Sequence, residues 1–419
     1  MNNKLPKYPA YKTSGVEWLG DIPKHWETLS NKFIFNLKKN LVGKRSSEYV
    51  LLSLTLNGVI KRDMENPQGK FPAEFDTYQE VKKGDFIFCL FDVEETPRTV
   101  GLSEFDGMIT GAYTVMQPNE NFDRGFLYYF YLNLDTDKRL KPLYTGLRNT
   151  ISKDNFFSFK TFVPPLYEQT AIAEFLDCKT GLIDQAIGIK EKQIELLKER
   201  RQILIHHAVT QGLNPNVKLK DSGVEWIGEI PEHWEVKRLK YAAEMISIKM
   251  LSKGNPLKYI GMENIESWTG NHISSETETE GLASYFKKGD ILFGKLRPYL
   301  AKVYLAKEEG ICSTEFLIFR NGNVITNSYL HSLLLSFGFI NLIDSSTYGS
   351  KMPRANPDFI GNQLISIPSK IEQAAILDYI NNLTTKISSA ISLKEQEIEK
   401  LKEYKASLIN EAVTGKIKV

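Results

Sequence analysis

Basic side chains form several short clusters, each beside tyrosine or asparagine residues that could also bind a nucleic acid. Arginine and lysine can hold phosphates or bind the edge of guanine, and asparagine can bind adenine. The candidate DNA-contacting residues are Lys44, Arg45, Arg148, Asn149, Lys153, Arg297, Tyr299, Lys351, Arg354 and Asn356. One such cluster is commonly only a solvated surface, but similar clusters in both halves of the chain favour a binding function.

Residues suited to catalysis or metal binding form no recognisable pattern. The chain has no G-x-x-x-x-G-K-[ST] phosphate loop and no G-x-G-x-x-G after a strand. Its six histidines and three cysteines never take the spacing of zinc ligands. His25 and His233 each stand beside a tryptophan, and a packing or turn role is predicted for both. The sequence therefore predicts no catalytic residue, no metal and no cofactor in this chain.

Composition indicates the class and compartment of the protein. The 419 residues are 42% hydrophobic, which excludes a disordered chain and predicts two or three domains. The 53 basic and 51 acidic residues give a net charge of +2, which neither requires nor excludes a nucleic-acid partner. The cysteines are far apart, the N-terminus lacks the apolar core of a signal peptide, and serine and histidine interrupt the longest apolar run. We expect a soluble cytoplasmic protein without a membrane partner.

Three repeated segments show that the chain is an internal duplication. Residues 14–27 read SGVEWLGDIPKHWE, and residues 222–235 read SGVEWIGEIPEHWE. The segment KKGDFIF at 82–88 recurs as KKGDILF at 287–293. Residues 168–212 align without a gap on 372–416, with 20 of the 45 positions identical. The chain thus contains two copies of a unit of roughly 205 residues.

The first part of each copy has the pattern of a β-rich globular domain. Short apolar runs at 50–54, 85–90 and 315–319 are separated by glycine, asparagine and proline, which predicts strands. Helices are expected near 125–134 and 328–343. The predicted fold class is α+β, with two β-rich domains joined by two long helices. The predicted boundaries are 1–165 and 214–367 for the domains, and 166–213 and 368–419 for the helices.

The second part of each copy has the heptad pattern of a coiled coil over about four heptads. Apolar and polar positions match one for one between the copies, including the polar positions Lys190 and Lys394. The apolar spacer residues are Ile183, Ile187, Ile194, Leu197, Leu204, Ile387, Ile391, Ile398, Leu401 and Leu408. Two matching helices in one chain favour an antiparallel pair. The alternative is that each helix packs only on the core of its own domain.

These motifs together resemble the specificity subunits of type I restriction-modification systems. The resemblance depends on the duplicated SGVEW opening, the KKGD strand motif and the Pro-Pro-Leu-Tyr-Glu-Gln segment (164–169) before the first long helix. It covers nearly the whole chain. It implies two target-recognition domains, each reading one half of a bipartite, asymmetric DNA site. It also implies that the helices form an antiparallel spacer that docks methyltransferase subunits. The second helix is preceded by one proline, at position 368, where the first has two.

The resemblance also implies the partners of the chain. The expected partners are double-stranded DNA, two adenine-N6 methyltransferase subunits and two restriction subunits. S-adenosylmethionine, ATP and Mg are expected on those partner subunits, so this chain would be non-catalytic. One alternative is a coiled-coil scaffold with two protein-binding domains, which predicts no salt-dependent DNA binding. Another is a self-sufficient DNA methyltransferase, which predicts that the isolated chain binds S-adenosylmethionine.

Overall fold

The chain divides into two units, and the division falls within each of its two long helices. The computed structural model describes residues 5–63, 74–274, 280–349 and 351–419. The first unit contains the chain up to Lys190 together with Gln396–Val419, and the second contains Glu191–Glu395. Each unit therefore combines one globular domain with a part of both long helices.

The first unit contains fourteen short strands among its described residues, together with two short helices and the start of a long one. The strands are β1 (Tyr11–Thr13), β2 (Asp21–Pro23), β3 (Glu27–Ser30), β4 (Phe35–Lys38), β5 (Leu52–Thr55), β6 (Gly58–Lys61), β7 (Gln79–Val81), β8 (Phe86–Phe88), β9 (Val100–Leu102), β10 (Gly107–Ile109), β11 (Thr114–Pro118), β12 (Tyr144–Thr145), β13 (Thr150–Ile151) and β14 (Lys160–Val163). The α-helices are α1 (Arg124–Thr136), α2 (Lys153–Ser158) and α3 (Leu166–Gln211), and 3-10 turns cover Asn31–Phe33, Gly43–Glu48 and Lys141–Leu143.

An antiparallel sheet in the order β4-β11-β8-β9 forms the centre of this unit. The residues of β8 are all buried, as expected for an inner strand covered on both faces. Aromatic side chains of β8 and α1 share one core with Leu176 of α3 and Leu408 of α8 (Lys370–Val413). The strands β3 and β14 pair antiparallel directly before α3 begins. The globular domain and the helices of the first unit are thus packed around one core.

The second unit has the same organisation. Its strands are β15 (Leu219–Asp221), β16 (Glu229–Pro231), β17 (Glu235–Arg238), β18 (Ala243–Ile246), β19 (Lys249–Leu251), β20 (Tyr259–Ile260), β21 (Leu282–Phe286), β22 (Ile291–Gly294), β23 (Val303–Leu305), β24 (Gly310–Ser313), β25 (Phe316–Asn321) and β26 (Leu364–Ile367). Its shorter helices are α4 (Leu239–Ala242), α5 (Asn327–Leu334), α6 (Phe337–Ser345) and α7 (Pro357–Asn362), with 3-10 turns at Met262–Asn264 and Pro298–Leu300.

The central sheet of the second unit repeats that of the first, in the order β18-β25-β22-β23. A second sheet, β19-β21-β24-β20, is antiparallel except for the parallel pair of β20 and β24. The strands β17 and β26 pair before α8 begins, as β3 and β14 do before α3. The predicted α+β class, with β-rich domains and two long helices, is confirmed.

The KKGD motif has a structural role in both copies. Asp85 and Asp290 are buried, and each accepts a hydrogen bond of 2.8 Å from the backbone N–H three residues earlier. A basic residue of the same sheet completes each site: Lys38 contacts Asp85 at 2.6 Å, and Arg320 contacts Asp290 at 2.6 Å. The glycine before each aspartate has a positive φ, which glycine adopts without a steric penalty. The motif therefore holds the turn that leads into the inner strand of each central sheet.

The two long helices run antiparallel within the first unit. Lys190 of α3 contacts Glu397 of α8 at 2.6 Å, and Asp184 contacts Lys405 at 2.7 Å. Residue numbers rise along α3 as they fall along α8, which defines the direction. Ile187 and Leu401 lie between these polar pairs and pack against the core of this unit, in which Ile183 is also buried.

The apolar heptad positions are buried or half-buried along both helices. The buried ones are Ile183, Ile194, Ile387, Ile398 and Leu408, and the half-buried ones are Ile187, Leu197, Leu204, Ile391 and Leu401. In the last turns of α3 the more deeply buried residue is Ile205 rather than Leu204. Ile205, Ala208 and Val209 share one core with Ile376 and Ile380 of α8 in the second unit. The buried face turns there because a straight helix with 3.6 residues per turn drifts from a 3.5-residue repeat.

One expected helix is divided in the structure. The segment 328–343 is predicted as one helix, but it forms α5 and α6, which are separated at Leu335 and Ser336. Ser336 is buried in an extended conformation, and its hydroxyl donates a hydrogen bond of 2.7 Å to the Leu333 carbonyl. Serine hydroxyls compete with the helical hydrogen bonds in this way, which ends one helix and begins the next.

Candidate nucleic-acid interface

Arg148 and Asn149 lie on the turn of the β12–β13 hairpin in the first unit. Arg148 donates hydrogen bonds from Nε and Nη2 to the two carboxylate oxygens of Asp92, at 3.0 and 2.5 Å. The hydrogen bond from Arg148 lowers the pKa of Asp92 below its ordinary value, so the carboxylate is ionised at neutral pH. Asn149 donates to Glu95 at 3.2 Å. Arg148 is nevertheless 73% exposed, and it is therefore oriented by the protein but open to a ligand.

The other predicted residues of the first unit are exposed at separate positions. Lys44 and Arg45 lie on the 3-10 turn Gly43–Glu48, with the Arg45 guanidinium 5.8 Å from the centre of the Tyr49 ring. Lys153 is exposed at the first residue of α2. These residues are accessible, and their contact with DNA stays a prediction.

In the second unit, two loops bring most of the predicted residues together. The Arg297 backbone N–H donates to the Pro353 carbonyl at 2.8 Å, and its guanidinium contacts the Lys351 carbonyl at 3.4 Å. Arg297 has a φ of +49°, in the left-handed region that residues with a side chain rarely adopt. Tyr299 follows on the 3-10 turn and is exposed. Arg297, Tyr299 and Lys351 therefore belong to one surface.

Arg354 lies at the edge of this surface and repeats the arrangement of Arg148. Its Nε and Nη2 donate to the carboxylate of Glu315 at 3.0–3.2 Å. Each unit therefore contains one predicted arginine that a carboxylate holds through two nitrogen atoms, in the geometry that guanidinium groups favour.

Asn356 has a structural role that the sequence did not indicate. Its side-chain oxygen accepts a hydrogen bond of 2.8 Å from the Asp358 N–H and caps α7. Ser152 stands 204 residues earlier, at the matching position of the repeat, and caps α2 by accepting from the Asn155 N–H at 3.1 Å. The cap explains Asn356 without DNA, because asparagine and serine are both preferred at this helix position.

A glutamate at the start of each long helix, buried in the first unit and partly exposed in the second, binds the histidine and tryptophan of the repeated HWE segment. Glu168 accepts a hydrogen bond from Trp26 Nε1 at 2.9 Å and lies 2.7 Å from His25 Nε2. The Tyr8 hydroxyl makes a further hydrogen bond to Glu168, and its pKa is raised by burial and by this carboxylate. The sequence did not indicate this clamp, which Glu168 forms with His25 and Trp26. The only signal was that HWE and Glu-Gln recur at nearly the same offset.

The second unit contains the same clamp with a different helix start. Glu372 lies 2.8 Å from His233 Nε2 and accepts from Trp234 Nε1 at 3.0 Å. Ser369 replaces the second proline that precedes α3. Its backbone N–H donates to the Glu372 carboxylate at 3.2 Å, and its hydroxyl accepts from the Glu372 N–H at 3.3 Å. This reciprocal pair is a capping box, so the missing proline is replaced by a second device that begins a helix.

The adjacent glutamines connect the long helices to the globular domains. Gln169 and Gln373 are buried, and each accepts a hydrogen bond from the backbone N–H of the residue that caps α1 or α5, at 2.8–2.9 Å. Each also donates to the proline carbonyl five residues earlier, at 2.9–3.0 Å. The Glu-Gln pair therefore fixes the position of a helix relative to the domain in its own unit.

The C-terminal ends of the two long helices pack against the same tryptophans, Trp26 and Trp234. Gly212, after α3, and Gly415, near the end of α8, have positive φ values of +76° and +69°. A Cβ atom at Gly212 would lie 3.2 Å from Trp234, and one at Gly415 would lie 3.2 Å from Trp26. The tryptophan of each unit thus contacts the start of one long helix and the end of the other.

The clamp of the second unit predicts a dependence of stability on pH. Burial would raise the pKa of Glu372, but hydrogen bonds from Trp234, His233 and Ser369 outweigh it and lower the pKa to about 2. Because the pKa of Glu372 is lower in the folded state, its ionised carboxylate stabilises the fold at pH values above the ordinary pKa of about 4.5. This contribution is lost as the pH falls from about 4.5 toward 2.

We expect Glu372→Gln to lower the free energy of unfolding at pH 7 by only about 1 kcal/mol, because the side chain is 34% exposed. The difference from the unchanged protein should shrink as the pH falls to 3, as urea denaturation at several pH values can show. Glu395→Gln, at an exposed position of α8, is the control and should have little effect. A difference that stays constant down to pH 3 would contradict the assignment.

The described residues contain neither a candidate metal site nor a candidate membrane-spanning helix. No group of three or more histidine, cysteine, aspartate or glutamate residues in this part of the chain could hold a metal ion. None of the described helices is long and apolar enough to cross a membrane.

The chain is similar to proteins of one class throughout. The family described as "Type I restriction modification DNA specificity domain" matches residues 231–403. The MjaVIII specificity subunit of Methanocaldococcus jannaschii is 27% identical over 72% of each chain, and the EcoDI specificity subunit of Escherichia coli is 24% identical over 64% of each chain.

Solved structures of the same class share the fold. One chain of a type I restriction-modification system aligns with a TM-score of 0.66 and 13% identity, over 94% of this chain and 98% of that one. The HsdS subunit of Thermoanaerobacter tengcongensis aligns with a TM-score of 0.51 and 13% identity, over 96% and 99%.

In both fold and sequence, the chain is similar to the specificity subunits of type I restriction-modification systems.

Proposed function

We propose that this chain reads a bipartite, asymmetric DNA sequence, one half with each globular domain, and docks two adenine-N6 methyltransferase subunits and two restriction subunits. The duplication carries this proposal, because both units have the same central sheet, helix clamp and carboxylate-held arginine. A dimeric reader with identical subunits recognises a palindrome. Two unlike domains in one chain can recognise two unlike half-sites.

The division of labour follows from the same proposal. The partner subunits bind S-adenosylmethionine, ATP and Mg and perform the chemistry, and the assembly acts in the cytoplasm. This chain supplies the sequence specificity and the docking surface. The long helices, whose charged flanks are exposed outside the apolar seam, offer that surface.

The arginines held by carboxylates suit the reading of DNA. Arg148 and Arg354 are exposed enough to reach a ligand, and Asp92 and Glu315 already restrict their orientation. A restricted side chain loses less entropy on binding. Each carboxylate also opposes non-specific attraction to phosphates, because a nearby negative charge repels the DNA backbone.

The test uses the chain purified with the methyltransferase subunit of its own system, after methylation-site sequencing of cells that carry both has given the site. We expect salt-dependent binding to that site and adenine methylation by the complex, and no methylation by the chain alone. Arg148→Ala, Arg297→Ala and Arg354→Ala should each weaken binding by about 1–3 kcal/mol if the arginine reads a base, and relax the sequence requirement in one half-site only. A phosphate contact would instead reduce the salt slope by about 1.

Lys218→Ala is the control, because Lys218 is exposed but pairs with Glu232 outside the predicted surfaces. Unchanged binding by all three arginine variants would make the residue assignment wrong. Binding that is independent of salt and sequence would contradict the proposed function and favour a protein scaffold.

A further inference from the structure

The seam between the long helices contains a cation that is paired in the first unit. Lys405 Nζ lies 2.7 Å from both carboxylate oxygens of Asp184. The repeat relates Lys405 to Arg201 and Asp184 to Ser388, each by 204 residues. The cation is therefore kept in the second copy, but its carboxylate is replaced by serine.

Arg201 consequently lies in the second unit without an ion-pair partner among the described residues, although it is only 9% exposed. Burial lowers its pKa, and the charge of Glu266 opposes that effect from beyond 4.0 Å. The Glu266 carboxylate instead accepts hydrogen bonds from Thr269 at 2.5 Å and Asn271 at 2.9 Å. A buried charge that lacks a close partner is unfavourable, so Arg201 would gain from an added anion.

A cavity of about 420 Å³ in the second unit gives access to this guanidinium. Apolar side chains of Trp268, Leu335 and Ile380 line part of it, and hydroxyl groups of Thr384 and Ser388 line another part. Apolar walls with a few polar groups that converge on one point are typical of a pocket for a side chain or small ligand.

We propose that this cavity receives an aspartate or glutamate side chain of the associating methyltransferase subunit, which pairs with Arg201 as Asp184 pairs with Lys405 in the first unit. The inference rests on the proposed function, in which such subunits dock on this chain. It adds that the two units offer unlike contacts, since the first supplies its own carboxylate and the second takes one from its partner.

The charge and shape of the cavity favour a protein carboxylate over DNA. A single cation with Glu266 nearby is a weak attraction for a polyanion, whose binding depends on the neutralisation of several phosphates. The backbone of a rigid duplex also cannot enter a pocket between side chains, whereas one carboxylate on a partner helix can. The neighbouring hydroxyl groups can donate to its second oxygen.

The experiment compares two variants of the full chain in assembly with its own methyltransferase subunit. Ser388→Asp supplies the carboxylate that the first unit has, and Arg201→Met removes the charge while keeping apolar bulk. Each should weaken the affinity for the methyltransferase by about 30-fold or more, because truncating or competing for one partner of a buried charge pair has a large effect. Both should raise the melting temperature of the isolated chain, which shows that they fold. Lys405→Met, in the pair that is complete within the first unit, is the control and should change the affinity less than about twofold.

The outcomes separate the inference from the function on which it rests. If both variants bind the methyltransferase as the unchanged chain does, the cavity does not take a partner carboxylate, and the proposed function stands. If Arg201→Met weakens DNA binding but not assembly, the cavity takes a phosphate and the inference is wrong. If the unchanged chain does not assemble with the methyltransferase, the proposed function is wrong and the inference falls with it.

Discussion

A chimera whose residues 32–159 come from a relative of different specificity is expected to recognise a site with one half changed and the other half unaltered. The replaced segment belongs to the first unit, whose core contains no residue of the second. Specific binding exceeds non-specific binding by about 10³–10⁷. The change of half-site should therefore be close to complete.

The strand pair at the base of the domain sets where the exchange should begin and end. An exchange of residues 28–160 would cut β3 and β14, which pair from Glu27 with Val163 to Ser30 with Lys160. The range 32–159 leaves both strands and the Glu168 clamp intact. Asn31 also stays, because its side chain accepts hydrogen bonds from Tyr131 at 2.7 Å and Thr161 at 2.8 Å.

Methylation-site sequencing of cells that carry the chimera and the methyltransferase measures the outcome. The matched experiment exchanges 239–363, between β17 and β26, and should change the other half-site. A change in both halves from one exchange would mean that the domains do not read independently. An active chimera with an unchanged site would mean that this domain does not read DNA.

Trp26→Ala should reduce the stability of the first unit by about 3–5 kcal/mol, a large part of the stability of an ordinary domain. Trp26 is fully buried and packs edge-to-face on Phe126 at 6.2 Å. Its removal also leaves the buried Glu168 without the Nε1–H donor and opens space beside Gly415. Trp26→Phe keeps most of the apolar contact and should cost about 1–3 kcal/mol, the cost of an unsatisfied buried group.

Hydrogen exchange of peptides from residues 160–176, compared with 364–380 in the second unit, measures the effect where it arises. We expect faster exchange in the first segment of the Trp26→Ala variant. Trp18→Ala is the control, because Trp18 is half-buried and stacks under the Arg139 guanidinium at 4.7 Å without binding Glu168. Equal losses in the Trp18 and Trp26 variants would show that the clamp contributes nothing beyond ordinary packing.

The architecture could be predicted because its signals are local or repeated. A heptad pattern records which face of a helix is buried at every turn, and alternation within short runs does the same for strands. The duplication also showed that segments about 205 residues apart have the same structure, which needed no information about their contacts. The strands near 52, 86 and 316 and the helix near 125 lie where these patterns placed them. The prediction of one helix at 328–343 was wrong in one respect. The apolar periodicity continues across Ser336, but the helix is interrupted there.

The sequence by itself determined that the chain is a duplicated α+β protein with two long helices and basic clusters in both copies. Only the tertiary structure decided which residues face each other across large separations: Trp26 and Glu168 are 142 positions apart, and Arg148 and Asp92 are 56 apart. It also decided that Asn356 caps a helix and that Arg201 lacks the carboxylate that Lys405 has. Periodicity reports only whether a side chain is buried, whereas its partner depends on how separate elements pack in space.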